Sequence, residues 1–234
     1  QRGGRGLASR QLWFWSVVAG LGVAGNFTFY FLSIEHGSVA VAATLMYCAP
    51  VFVYLVSFAL KLERPTAAKW LAIALVMVGV GLLTKLYAIG ASGLSLMGVV
   101  TGLLAGLSYA MFIFGFKYAT PHGSPSAILT IAFTVLSLVL LIPADISQTV
   151  SVVNAPELPL FVALGILGAG LSFLLYVVGI KHAAPALASM VAMVEPVTAT
   201  LFGVAVLGES LEVIQMVGMG IILLTVTALS VTSS

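Results

Sequence analysis

Eight apolar runs, separated by short polar punctuation, leave this chain few ways to fold. They cover residues 12–33, 38–60, 70–87, 94–116, 126–143, 159–180, 185–207 and 213–231, each 18 to 23 residues long. About 20 residues of α-helix cross the roughly 30 Å of bilayer hydrocarbon, so each run matches one crossing. Barrel strands would be about half as long and would alternate in polarity, which these runs do not. Composition closes off the soluble alternative: 61% of residues are apolar and 7% charged, with a mean hydropathy of +1.20, against about 25% charged in a soluble domain. The chain reads as an all-α polytopic membrane protein with eight transmembrane helices, and the lipid bilayer is its first expected partner. Cys48 stands alone in an apolar run, so no disulfide framework or cysteine metal site is available.

Lysine and arginine positions set the expected topology. Counted over alternating loops, one side receives Arg2, Arg5, Arg10, Lys61, Arg64, Lys69, Lys117 and Lys181, and the other only Lys85. The positive-inside rule then places both termini in the cytoplasm of a cell with this protein in its plasma membrane. The acidic residues Glu35, Asp145, Glu157, Glu209 and Glu212 fall on the opposite side. The connections are short, and the longest, 144–158, is too short to form a domain.

Sliding the chain by 146 residues superimposes 30–63 on 176–209 without a gap. Ten of those 34 pairs are identical, among them Tyr30/Tyr176, His36/His182, Pro50/Pro196 and Glu63/Glu209. Shared apolar bias explains matching alanines, but not tyrosine, histidine, proline and glutamate together. The offset contains five spans, an odd number, so matched helices cross in opposite directions. Inverted repeats of this kind are the architecture of many secondary transporters, with a site near the membrane midplane. Residues 88–234 would form a complete repeat of five helices and residues 1–87 an incomplete one of three. The expectation is a chain shortened by two helices from a ten-helix architecture of two inverted five-helix repeats.

Each copy shows a helix ending Tyr-x-x-x-x-x-His, a short turn, an Ala-rich helix with a central proline, a loop glutamate and a Gly-bearing helix. In this pattern, and most closely in EPVTATLFGVAVLGESL, the chain resembles the EamA module of the drug/metabolite transporter superfamily. The resemblance extends over essentially the whole chain and implies an inner-membrane permease that moves small metabolites, commonly outward. The resemblance implies a first helix pair that helps to line the cavity, and the expectation is that this pair has no counterpart here.

The first candidate site residue is Glu195, inside the run 185–207. A carboxylate at the bilayer centre costs about 2.5 to 3.5 kcal/mol, so it belongs in a bundle interior or a wet cavity. It could bind a cationic or amine group or carry a coupled proton; alternatively, a protonated or hydrogen-bonded carboxyl would stabilise a broken helix. Its repeat partner is Ala49. Pro50 and Pro196 are matching helix-break candidates, since paired Pro-interrupted segments point to transporter sites. Asn26 aligns with Ser172, and Tyr30 or Tyr176 follows four residues later on the same helix face, lining a cavity or joining helices. Tyr109, near Thr101 and Ser108, is a further candidate, as are the hydroxyls of Thr130, Thr134 and Ser137. Glu63 and Glu209 precede new helices and are expected to cap them. Gly22, Gly25, Gly165, Gly168, Gly218 and Gly220 are expected at close helix contacts.

An enzyme needs a converging nucleophile and base, or a ligand cluster. All three histidines, His36, His122 and His182, lie at span ends, and neither His-Glu-x-x-His nor Gly-x-Ser-x-Gly occurs. No phosphate-cradling Gly-x-x-x-x-Gly-Lys is present, so a gradient is the expected energy source. No cofactor or metal is expected. The expected partner is a small-molecule substrate, not nucleic acid; a homodimer stays open. A secondary permease working by alternating access is the leading reading, with a non-transporting or scaffold membrane protein as the alternative.

Overall fold

The computed structural model describes residues 9–89, 95–208 and 210–232. Every apolar run forms helix, and no strand occurs among the described residues. Six segments are long enough to cross a membrane: Arg10–Glu35, Val39–Ala59, Leu96–Ala119, Leu158–Ile180, Pro185–Val206 and Val213–Val231. Two further apolar helices, Ala67–Leu83 and Pro125–Leu140, are shorter, at 17 and 16 residues. The chain is thus an all-helical, multi-pass membrane protein.

In order, the helices are α1 (Arg10–Glu35), α2 (Val39–Met46), α3 (Ala49–Ala59), α4 (Ala67–Leu83), α5 (Leu96–Ala119) and α6 (Pro125–Leu140). They continue with α7 (Ile146–Ser151), α8 (Leu158–Ala163), α9 (Ser172–Ile180), α10 (Pro185–Val191), α11 (Val194–Leu207) and α12 (Val213–Thr232). Local chemistry sets their ends. The Ser38, Thr66 and Ser124 hydroxyls accept from Val41 N, Lys69 N and Ala127 N, satisfying amides that have no partner within α2, α4 and α6. Pro125 and Pro185 take first helical positions, where the missing N–H costs nothing. Gly208, at φ 70°, closes α11 in the left-handed conformation that glycine adopts without strain.

The 144–158 connection forms no domain but carries the short α7 and a 3-10 turn. The Asp145 carboxylate accepts from Ser147 N at 2.8 Å and from the Ser147 hydroxyl at 2.6 Å, which starts the short α7. Between α8 and α9 the chain widens into a π-helix over Leu164–Leu171.

The helices divide into two compact units, with the divisions falling inside α1, inside α5 and between Ala183 and Ala184. One comprises Gln1–Ala24 and Met111–Ala183. In it, Gly115 of α5 packs so tightly on α1 that an added Cβ would lie 2.6 Å from Ala19 N. Phe112, Phe116, Phe173 and Tyr176 form an aromatic cluster with ring centroids 5.9 to 6.4 Å apart. The Lys117 ammonium donates to the carbonyls of Ile180, Lys181 and Ala183, closing the C-terminal end of α9.

The other unit comprises Gly25–Ala110 and Ala184–Ser234. Here α4 runs along α12 and α3 packs on α10. The α4–α12 contact is backbone-close: a Cβ on Gly79 would meet Gly218 O at 2.9 Å, and one on Gly218 would meet Gly79 O at 2.7 Å. Small residues at such crossings let helices pack where lipid supplies no hydrophobic drive. At one end of this pair, Lys85 Nζ lies 2.7 Å from Glu212 Oε1, and the Tyr87 hydroxyl donates to Glu212 Oε2 at 3.1 Å. The glycine expectation holds at Gly22, Gly25 and Gly218, whereas Gly165 and Gly220 face open space and Gly168 meets only Leu164 of its own segment.

Candidate functional site

The run carrying Glu195 folds as two helices, α10 and α11, and its repeat partner does the same as α2 and α3. The interruptions, 47–48 and 192–193, match to within one residue of the 146-residue offset. Tyr47, at φ −75° and ψ 5°, lies 146 residues before Met193, at φ −68° and ψ −4°. Pro50 and Pro196 stand in the first turns of α3 and α11, just beyond these breaks. A proline there lacks the N–H that would have bridged to the preceding helix, so the chain stops and restarts instead of kinking through.

The two breaks differ in what surrounds them. Around the first, Ala49 and Pro50 are buried. Gly106 of α5 comes so close that an added Cβ would lie 2.7 Å from Leu45 O and 3.1 Å from Met46 O. Gly98 and Gly102 continue this face: Cβ atoms there would meet His36 O at 3.1 Å and the Leu45 side chain at 2.7 Å. The Ser33 hydroxyl donates to Gly98 O at 2.7 Å, and Asn26 Nδ2 donates to Ala105 O at 3.1 Å. The glycine stripe of α5 therefore holds the end of α1 and the broken α2–α3 segment by backbone-close contacts.

At the second break, Glu195 is the second residue of α11 and keeps an exposed surface, while Pro196 and Met193 beside it are buried. The Tyr109 hydroxyl of α5 donates to Glu195 Oε2 at 3.4 Å. The phenols of Tyr30 and Tyr47 lie within electrostatic range of the same carboxylate. Glu195 and Tyr109 thus make one contact, with Tyr30 and Tyr47 in the same unit. A carboxylate with a phenol hydroxyl beside it can ion-pair with a cation, accept hydrogen bonds or exchange a proton, and an aromatic ring face can attract a cationic group.

The other candidates lie elsewhere in the fold. Asn26 is committed to Ala105 O. Ser172, in the unit with α9, donates to Gly168 O of its own helical segment. Tyr176 belongs to the aromatic cluster of that unit, and its buried hydroxyl has no hydrogen-bond partner among the described residues. Thr101, Thr130 and Thr134 each bond a carbonyl four residues earlier. Glu63 pairs with Lys69 Nζ at 2.8 Å, and the α4 cap is Thr66. Glu209 lies outside the described residues. No cluster of metal-ligating residues occurs among the described residues.

Sequence reasoning passed over Tyr47 and the glycine stripe. Tyr47 was findable from its place in the repeat, at the position matching Met193. The stripe was findable from the four-residue spacing of Gly98, Gly102 and Gly106, a small-xxx-small pattern of close helix contacts.

The sequence profile of the EamA-like transporter family matches residues 2–85 and 96–231. An uncharacterized transporter of Archaeoglobus fulgidus is 30% identical over 194 residues, covering 83% of this chain and 68% of the relative. The uncharacterized transporter YwfM of Bacillus subtilis is 25% identical, covering 93% of this chain and 74% of the relative. The uncharacterized inner membrane transporter YedA of Escherichia coli K12 is 29% identical, covering 82% of this chain and 62% of the relative. A protein of known crystal structure shares the fold at a TM-score of 0.70 and 17% identity, over 92% of this chain and 75% of that one.

Proposed function

This chain belongs to the EamA-like transporter family, and from that premise we propose that it is a secondary permease whose substrate or coupling site is centred on Glu195. The observation that carries the reading is an intramembrane carboxylate, exposed at a helix break and reached by the Tyr109 hydroxyl at 3.4 Å. An ionisable residue inside a span is expensive unless it serves an ion or substrate path. Glu195 would bind an amine or other cationic group of a small metabolite, or carry a proton exchanged for it. Tyr109, Tyr30 and Tyr47 would orient the bound group.

The proposed mechanism is alternating access between two inverted repeats. Its support is the register of the two interruptions, Tyr47 against Met193, at the offset that aligns the sequence with itself. Both termini would face the cytoplasm of a cell with the protein in its plasma membrane, following the basic loops.

A second reading also has an observation behind it. Glu195 sits in the first turn of α11, where a negative group complements free amides and the helix dipole. It would then stabilise the break, and the protein could be a non-transporting or scaffold membrane protein. Reconstitution in proteoliposomes separates these readings. A panel of labelled amines, amino acids and neutral metabolites is followed with and without an imposed proton gradient. Flux that is lost in Glu195→Gln while the folded yield is kept supports the permease. Flux with an unchanged rate and pH profile in that variant returns Glu195 to a structural role, and no flux from the parent protein counts for the scaffold.

A further inference from the structure

Near one end of the α4–α12 pair lies an apolar groove of about 350 Å³, lined by Ala68, Leu71, Ala72, Leu75, Leu224, Thr225, Ala228 and Leu229. Its small residues, Ala68, Ala72, Thr225 and Ala228, leave the space; its leucines supply the walls. Leu71 and Leu224 are largely exposed. Over Ala68 to Leu75 the groove runs for about 10 Å of helix rise. It is apolar throughout except for the Thr225 hydroxyl, and Thr225 is buried.

The end of the groove is charged. Lys61, Arg64 and Lys69 precede or open α4, against one acidic residue, Glu63. Lys69 Nζ is held between Glu63 Oε2 at 2.8 Å and Arg64 O at 3.1 Å, which neutralises Glu63 and leaves Lys61 and Arg64 as exposed cations. Trp70, next to Lys69, is half-exposed and packs on Phe58 at 5.5 Å. Tryptophan at such a position marks the headgroup level of a bilayer. Leu71 follows directly, and Ala72 and Leu75 carry the groove on along α4.

From this succession we propose that the α4–α12 groove is a binding site for an anionic phospholipid, with an acyl chain along Ala72 and Ala228 and the headgroup phosphate at Lys61 and Arg64. The charge complementarity selects the lipid class, since basic residues at a membrane surface attract anionic headgroups. The apolar floor selects a chain over a soluble anion. The site is separate from Glu195 and does not depend on transport.

Trp70 provides the readout. In a Trp13→Phe, Trp15→Phe background, the protein is reconstituted in phosphatidylcholine vesicles containing chain-brominated phosphatidylglycerol or chain-brominated phosphatidylcholine at equal mole fraction. Quenching of Trp70 should show binding of phosphatidylglycerol favoured by about fivefold for each basic residue engaged. Lys61→Gln with Arg64→Gln, both on the exposed loop, should remove the preference. Ala72→Leu or Ala228→Leu should reduce quenching by both lipids. Equal quenching by the two lipids, or a preference that survives loss of both cations, overturns the proposal. So does cross-linking of Ala228→Cys into dimers with Trp70 unquenched, which would make a second copy the occupant.

Discussion

The two interrupted segments, α2–α3 and α10–α11, share a register and a proline, yet one is sealed and the other is open. At the first, Gly106 and Ala49 allow backbone and side chains to close over the break. At the second, Glu195 replaces that alanine and keeps an exposed surface with Tyr109 beside it. A helix break is tolerable in a membrane when neighbouring groups satisfy the freed backbone, and the two segments differ in the residue before the proline: buried Ala49 in one, exposed Glu195 in the other.

That contrast can be broken experimentally, and the largest effect is expected at the open break. Glu195→Gln keeps shape and hydrogen bonding but removes the charge; transport should fall by about a hundredfold, the scale of losing a charge-assisted contact of roughly 2.7 kcal/mol. Proteoliposome flux measures it, and a rate near the parent's would end the distinction. Placing the carboxylate in the sealed copy should not reproduce the site. Ala49→Glu buries a charge with no room and should destabilise the protein by about 3 kcal/mol, read as lost folded yield on size-exclusion chromatography. A stable, well-expressed Ala49→Glu protein would show that the first break is as open as the second.

The seal itself is tested by Gly106→Val, whose side chain would collide with Leu45 O and Met46 O. Overpacking of this kind costs about 1 to 3 kcal/mol, visible as a lower midpoint of thermal unfolding in detergent; an unchanged midpoint would mean that the close contact is not maintained. Tyr109→Phe removes one long hydrogen bond and should weaken substrate binding by about fivefold, near 1 kcal/mol, with competition binding as the measurement.

The smallest effect is expected where the helices following each segment, α4 and α12, are tied by Lys85 and Glu212. The hydrogen bond from Lys85, then that from Tyr87, holds the Glu212 carboxyl below its ordinary value, and Glu212 in turn holds Lys85 above its own. The carboxylate's contribution is thus present above the ordinary carboxylate pKa and lost as pH falls through the depressed value. The lysine's is present below its ordinary pKa and lost as pH rises through the raised one. Both groups are exposed, so the Lys85→Met midpoint should differ slightly from the parent near neutrality and converge with it in acid. A difference that persists in acid would assign the effect to something other than the pair.

Much of the fold was legible because the bilayer imposes length and polarity on each crossing. Each apolar run became helix, and Ser38, Thr66 and Ser124 mark starts that local hydrogen bonding alone explains. The site was only partly legible. Glu195 announced itself by its cost, but its contact with Tyr109 joins residues 86 positions apart and has no local signal. Asn26 and Ser172 align in sequence, yet one bonds another helix and the other its own turn. Aligned polar residues share a helix face, and the neighbour across that face decides their use.

The sequence by itself determined the helical, multi-pass class and the matching of residues 30–63 with 176–209, both prolines included, since these follow from apolar length and a fixed offset. Only the tertiary structure decided which break is covered and which is open. That depends on the α5 residue facing each one: Gly106, with no side chain, lets the backbone close in, while Tyr109 directs a hydroxyl at the carboxylate.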